Sequence, residues 1–342
     1  MAGRSSVWSD AEVAELAQSS FVCATDEVWR LQRDDDRECR FFQTTVAGKP
    51  GALEGSHQGI YIVAPSGRLL ARRNALAPDQ ALALLREGLD AWKNADDDTR
   101  RPAEPSTFLP EYRWEQSYPE GGLVLSVILR DLPPPDEASS EPSATSRPAG
   151  RNAMRFNRDH AWFHRDEVSD WIPADPVVGA KRILPKALAQ RLARFHLVDN
   201  ARGQVGPFAP EEIEEATFTI EVVAREDAML HLRIDGRTRA SSDGVWKMGD
   251  NDWKLFPSRP RSIETRCVGE ATFDLDARRF ITFELAAIGE SHGGVGLNGR
   301  GEPGARGRIG YWISLAPDTP RHRVAPAFVD VYDVSWIGPN AR

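Results

Sequence analysis

Apolar residues recur at helical spacing through parts of the first hundred residues and at every second position through much of the rest. In WSDAEVAELAQS (8–19), Val13 and Leu16 follow Ser9 and Asp10 at helical spacing, with either polar residue able to cap the helix start. FVCATDE (21–27) reads as a short strand running into an acidic loop. DDDRECRFFQTTVAG (34–48) reads as a helix with acids at its N-terminal end, where the macrodipole favours them, and Gly48 as its stop. GKPGALEGSHQ (48–58) reads as loop. In the stretch 59–92, Ile60, Tyr61, Ile62 and Val63 form an unbroken apolar run, as in a strand buried on both faces. Pro65, Ser66 and Gly67 supply a turn, and residues 68–71 return as a second strand. Pro78 then opens a helix whose Leu82, Leu85, Leu89 and Trp92 make one stripe.

Residues 93–108 are polar and contain prolines, which places a domain boundary there. GGLVLSVILRDLP (121–133) reads as a strongly apolar strand. The segment 133–153, rich in Pro, Ser and Ala, has no core-forming residues and reads as a disordered insertion. RDEVSDWIP (165–173) reads as a short helix, and Pro185 opens a longer one that places Leu188, Leu192 and Phe195 on one face. The remainder alternates. TFTIEVV (217–223) and MLHLRID (229–235) read as a hairpin around ARED, and 269–275 with 280–289 as a second hairpin around DARR. Residues 307–316 and 326–336 add two more strands. The expected architecture is α+β: an N-terminal α/β domain over 1–98, then a mostly antiparallel, β-barrel-like domain with one long helix over 105–342.

Composition narrows the class. The chain has 342 residues, 41% hydrophobic and 27% charged, which suits two globular domains with real cores. A formal net charge of −8 argues against a partner bound through a phosphate backbone, so no nucleic acid is expected. No apolar run approaches the ~20 residues of a membrane span, and the N-terminus lacks a signal peptide's apolar region. The expectation is a cytoplasmic chain with no membrane partner. Cys23, Cys39 and Cys267 are too few and too far apart for a disulfide framework or a zinc finger.

The order helix, FVCATDE, helix, GIYIVAPSGRLL hairpin, helix resembles a thioredoxin-like domain, and the resemblance covers residues 8–92. Two signatures of that family are absent: there is no Cys-x-x-Cys, and no proline stands in Ser56-His57-Gln58-Gly59, where the family's cis-proline would fall. The resemblance therefore implies a redox-inactive docking module that engages a protein partner or a second copy of the chain. Cys23 reads as a small buried hydrophobe. Cys39, in the first turns of a helix, is the candidate for a thiol enzyme, although Asp34, Asp35, Asp36 and Glu38 oppose its ionisation.

The β-rich part carries three clusters. His160 and His164, four apart, share a face in either regular structure and are candidate metal ligands. At the end of the long helix, His196 is followed by Asp199, Asn200 and Arg202. AAIGESHGGVGLNGRGEPGARGRIG (286–310) opens with Glu290 and His292 and is rimmed by Arg300, Arg306 and Arg308. If helix end and glycine loop meet at one barrel mouth, His196, Asp199, Arg202 and Glu290 form an acid/base set. His196 and His292, with His160 and His164, would then be ligands for a divalent ion such as zinc, copper or iron. The structural counterpart of each reading is plain: caps, turns and solvated histidines. Trp246, Trp253, Trp312 and Trp336 could line a cavity for a small-molecule ligand or are core. The leading expectation is a docking module fused to a β-rich domain that binds a small ligand or metal.

Overall fold

The computed structural model describes residues 7–8, 10–25, 28–55, 57–75, 77–102, 118–132, 156–203, 205–244, 259–294, 298–319 and 322–327. The Pro/Ser-rich segment 133–153, Trp246, Trp253, Trp336 and most of the strand expected over 326–336 lie outside these residues. The chain divides into two compact units, Gly3–Arg113 and Trp114–Arg342. Among the described residues, no helix is long and apolar enough to cross a membrane.

In the first unit, α1 (Ala11–Ser20) is capped by Asp10, whose carboxylate accepts from the Glu12 and Val13 amides. A short α2 (Val28–Arg33) precedes α3 (Arg37–Ala47). Asp36 caps α3 by accepting from the Cys39 amide, and Gly48 ends it in the left-handed conformation at φ 75°. Strands β1 (Ile60–Val63) and β2 (Leu69–Arg73) form an antiparallel pair. Helix α4 (Pro78–Lys93) follows, with Pro78 in its first turn, and then a single turn α5 (Asp97–Arg100). The core joins Val13 and Ala17 of α1, Ile62 of β1, Ala71 of β2 and Ala81, Leu82, Leu84 and Leu85 of α4. Leu89 and Trp92 of the expected stripe are only half-buried, and Leu84 takes a fully buried place instead. The strand expected at 21–27 is not formed: residues 21–25 carry no strand, and Cys23 is exposed rather than buried.

Gly88 shows how closely α4 sits on the hairpin. A Cβ built there would lie 2.4 Å from Cδ1 of Ile62. Gly88→Ala should therefore destabilise the first unit by about 1–3 kcal/mol through overpacking, despite the helix propensity it gains. Urea unfolding followed by circular dichroism checks this, and Gly88→Ala with Ile62→Val should recover part of the loss.

The second unit is built on β3 (Leu123–Asp131), β4 (Phe156–Phe163), β5 (Lys181–Ile183), β6 (Ile213–Glu226), β7 (Met229–Ser242), β8 (Arg261–Asp274), β9 (Arg279–His292) and β10 (Arg306–Leu315). All eight lie in one antiparallel sheet of order β4-β3-β10-β9-β8-β7-β6-β5. The sheet is not closed, which corrects the barrel expectation. Its ends β4 and β5 do not pair with each other, and β5 adds only three residues to β6. Helical elements pack against strands toward both ends of the sheet. After β4 come α6 (Arg165–Val168) and a 3₁₀ turn (Ser169–Trp171); after β5 comes α7 (Lys186–Arg191).

One face of the sheet carries the core. Leu125, Val127 and Leu129 of β3, Phe218, Ile220 and Val222 of β6, Leu230, Leu232 and Ile234 of β7, Phe283 and Leu285 of β9 and Ile309, Tyr311 and Ile313 of β10 are all buried. Leu188 of α7, together with Leu192 and Phe195 beyond it, buries against this face as the helical spacing predicts. The chain continues from α7 into one wider turn, Leu192–His196, where the Leu197 amide reaches back to the Leu192 carbonyl. Such a turn rotates the side chains after it relative to a regular helix.

The strands are longer than their apolar patterns. The β6–β7 connection is a tight turn at Asp227 and Ala228, with Asp227 at φ 50° and Glu226 opposite Met229, rather than the four-residue ARED loop. Strand β8 begins at Arg261, eight residues before the expected start at 269, because its first half carries Thr265 and Cys267 inward instead of large apolar residues. Thr265 pairs with Thr238 across the sheet at 2.6 Å, which satisfies both buried hydroxyls.

Candidate functional site

The loop 197–203 after the wide turn lies against the end of β3 and the β9–β10 connection. Tyr311 fixes it from below: its buried hydroxyl donates to the Val198 carbonyl at 3.0 Å. Burial, reinforced by Asp199, pushes this phenol well above its ordinary pKa, so it stays a donor. Asn200 closes the loop by accepting from the Val205 amide at 2.7 Å, and its own carbonyl accepts from Asn157 at 3.1 Å.

Three charged side chains meet here out of solvent. Arg300 is 2% exposed, Asp131 4% and Asp199 8%. Arg300 Nε donates to Asp199 Oδ2 at 2.5 Å and Nη2 to Oδ1 at 2.9 Å, a two-pronged grip. The same Nη2 reaches Asp131 Oδ1 at 3.1 Å. Ser291 Oγ donates to Asp199 Oδ2 at 3.0 Å. Arg202 approaches Asp131 from the other side, with Nε at 2.9 Å and Nη2 at 2.5 Å from Oδ2. Burial pulls the Arg300 pKa down, but its bonds to Asp199 and the charges of Asp199 and Asp131 outweigh that and hold it above the ordinary value.

Two glycines make room for this arrangement. A Cβ on Gly307 would lie 2.3 Å from the Arg300 guanidinium carbon, so the arginine packs flat on bare backbone. Gly299 sits at φ +69° with its Cβ position 2.8 Å from the Arg202 carbonyl. Asn298 turns the connection by accepting from the Arg300 amide at 3.2 Å and donating to the Gly293 carbonyl at 3.3 Å.

An open cleft of ≈ 380 Å³ lies above this clamp, lined by Arg202, Arg300, Glu302, Gly304, Ala305 and Arg306. Arg306 makes no ion pair among the described residues, and both Arg202 bonds to Asp131 leave its Nη1 uncommitted. Glu302 is the one acid of the lining and is exposed.

The helix end and the glycine-rich connection thus meet, through partly different residues from those expected. Asp199 and Arg202 are at the site. Glu290 and His292 are not in the loop: they are the last residues of the outward row of β9, both exposed, while the alternation turns Ser291 inward to Asp199. His196 is 1% exposed and its Nδ1 lies 2.9 Å from Asp159 Oδ2, away from the cleft lining. His160 lies on β4, but the strand ends at Phe163, so strand periodicity does not reach His164, which instead begins α6 and donates its amide to Glu167 at 2.8 Å. Among the described residues, no three of His, Cys, Asp and Glu are grouped to hold a metal ion. Cys39 is fully buried, and burial pushes the Cys267 thiol up to about 11, against a smaller pull from its hydrogen bond with Thr265.

Asp131 and Ser291 were not among the expected site residues. Both were signalled by parity: Asp131 continues the inward row Leu125, Val127, Leu129, and Ser291 the row Phe283, Leu285, Ala287, each putting a polar group at the end of a core-facing row. No family model, no curated protein and no solved structure matches this chain.

Proposed function

We propose that the β-rich unit is a binding module for a small ligand bearing a carboxylate or phosphate group, held in the cleft over the Arg300 clamp. The observation that carries this reading is the cleft lining: three guanidinium groups against one exposed carboxylate, two of the three held in fixed orientation from beneath. Asp131 and Asp199 already offset Arg300, so the charge offered to a ligand comes from Arg306 and the outer edge of Arg202. Planar guanidinium groups with spare N–H donors suit an oxyanion. The first unit, lacking Cys-x-x-Cys and with Cys39 buried, is read as a thioredoxin-like docking module for a protein partner or a second copy. An acid/base enzyme built on His196 has less support, because its imidazole is buried against Asp159.

Calorimetric titration of the full chain with inorganic phosphate and with acetate tests this. Saturable binding is expected for at least one of them. Arg306→Gln should weaken it about tenfold, the worth of one charge-assisted hydrogen bond. Glu302→Gln should strengthen it, by removing the one opposing charge of the lining. Wild-type protein that binds neither anion, or variants that change affinity in the opposite directions, would overturn the assignment.

A further inference from the structure

The free edge of the sheet at β4 is crossed by a short stretch of chain with a titratable group beneath it. Edge strands present unpaired backbone groups, and proteins cover them. Here residues 322–327 lie against side chains of β4. The His322 ring meets the His160 ring at 6.0 Å between centroids, and the Ala327 amide donates to Asp159 Oδ1 at 2.8 Å. His160 and Asp159 are neighbours on β4, so their side chains point to opposite faces of the sheet. A stretch that contacts both passes around the edge. Between them, Arg323 stacks over the Tyr118 ring at 4.5 Å and pairs with Glu120 and with Asp318, the latter at 3.1 Å. Tyr118 itself packs edge-on against Trp162, the next residue but one from His160 along β4.

We infer that residues 322–327 form a proton-sensitive strap over the edge of β4, docked while His160 is neutral and loosened when His160 takes a proton. His160 Nε2 is buried and, among the described residues, has no hydrogen-bond partner. A neutral ring tolerates that position; an imidazolium there would be a buried charged donor with nothing to accept from it. The neighbouring charges do not rescue it. Burial opposes protonation most; His322 on the strap, His196 at the helix end and Arg158 on the same strand oppose it too, and only Asp159 favours it. Asp159 is already committed, with one oxygen on His196 and the other on the Ala327 amide. The outcome is a His160 pKa held below its ordinary value while the strap is docked. Lifting the strap exposes Nε2 to water, so the undocked form takes the proton more readily.

The sign follows from linkage. A group whose pKa is lower in the docked form favours docking fully above its undocked pKa, about 6.5 for imidazole, and progressively less as pH falls below it.

Hydrogen exchange on the full chain, with rates normalised to intrinsic exchange, tests the strap. Between about pH 7.5 and about pH 5.5, protection of a peptide covering 322–327 should fall, by up to about tenfold per pH unit below the undocked pKa. Protection of the β8–β9 hairpin should not change. In His160→Phe, which keeps a ring against His322 but cannot titrate, the strap should stay equally protected at both pH values. Three results would overturn the inference: no change in the wild type, an equal loss in His160→Phe, or a loss shared by the β8–β9 hairpin. If His160→Phe fails to fold, the ring proton of His160 can be titrated by NMR in the wild type. A midpoint below about 6.5 that moves together with strap resonances supports the strap, and an ordinary midpoint contradicts it.

Discussion

Arg300→Ala is expected to lower the unfolding free energy of the β-rich unit by about 3–5 kcal/mol. The guanidinium is almost wholly buried, and its removal leaves two carboxylates behind it. Among the described residues, Asp199 would keep only Ser291, and Asp131 only Arg202. Removing one partner from a buried ion network costs far more than the network's net worth, because the remaining charges stay desolvated. The guanidinium also packs flat on Gly307, so its loss opens a gap that water must fill. Urea unfolding followed by tryptophan fluorescence measures the loss. The same reasoning gives a rescue. Arg300→Met combined with Asp199→Asn removes the cation and one of its two counter-charges together and should recover most of the stability. If Arg300→Ala were neutral, the clamp would not be the element that joins the helix end to the glycine-rich connection.

Trp171→Ala is expected to cost a similar amount, about 3–5 kcal/mol, for a different reason. Trp171 is fully buried, with ring centroids 5.4 Å from Phe163 and 5.4 Å from Phe283, and 6.3 Å from Phe280. Phe163 ends β4, at one edge of the sheet, whereas Phe280 and Phe283 are on β9, three strands away in the sheet order. The indole therefore bridges from the edge strand to the middle of the sheet. Aromatic edge-to-face pairs add to the burial energy. Among the described residues its Nε1 has no hydrogen-bond partner, so the polar end contributes nothing that a phenyl ring would lose. Trp171→Phe should accordingly cost only about 1–2 kcal/mol. Parallel urea titrations of both variants decide the matter: a Phe variant as unstable as the Ala variant would mean that size, not ring packing, sets the cost.

Much of the framework could be read from the spacing of apolar residues. The Pro78 helix, the Gly48 stop, the hairpin at 60–73 and the face of α7 depend on local rules and came out as expected. Strand lengths did not, because inward positions at Gly236, Thr238 and Thr265 are not apolar and so end the pattern early. At the inward position Gly236 a Cβ would lie 2.3 Å from the Phe218 ring, so that place takes no side chain, a limit no local pattern encodes. Closure into a barrel was beyond local reading too, since it depends on whether β4 and β5, the two ends of the sheet, pair with each other.

The site was half legible. Asp199 and Arg202 follow the helix end and lie where chemistry was expected. Glu290 and His292 were misplaced because β9 runs on to His292, and one residue of parity sends them to the opposite face from Ser291. Arg300 was visible only as a rim charge; its burial follows from Gly307 beside it and from Asp131 and Asp199, which meet it from distant parts of the chain.

The most direct test of the anion site is an amide NMR titration of the full chain with inorganic phosphate. The expected result is saturable shifts centred on Gly301, Gly304, Ala305 and Arg306 and on the Arg202 loop, absent when Arg202 and Arg306 are both changed to Gln. Shifts scattered over other basic surfaces, or a titration unaffected by the double substitution, would contradict it.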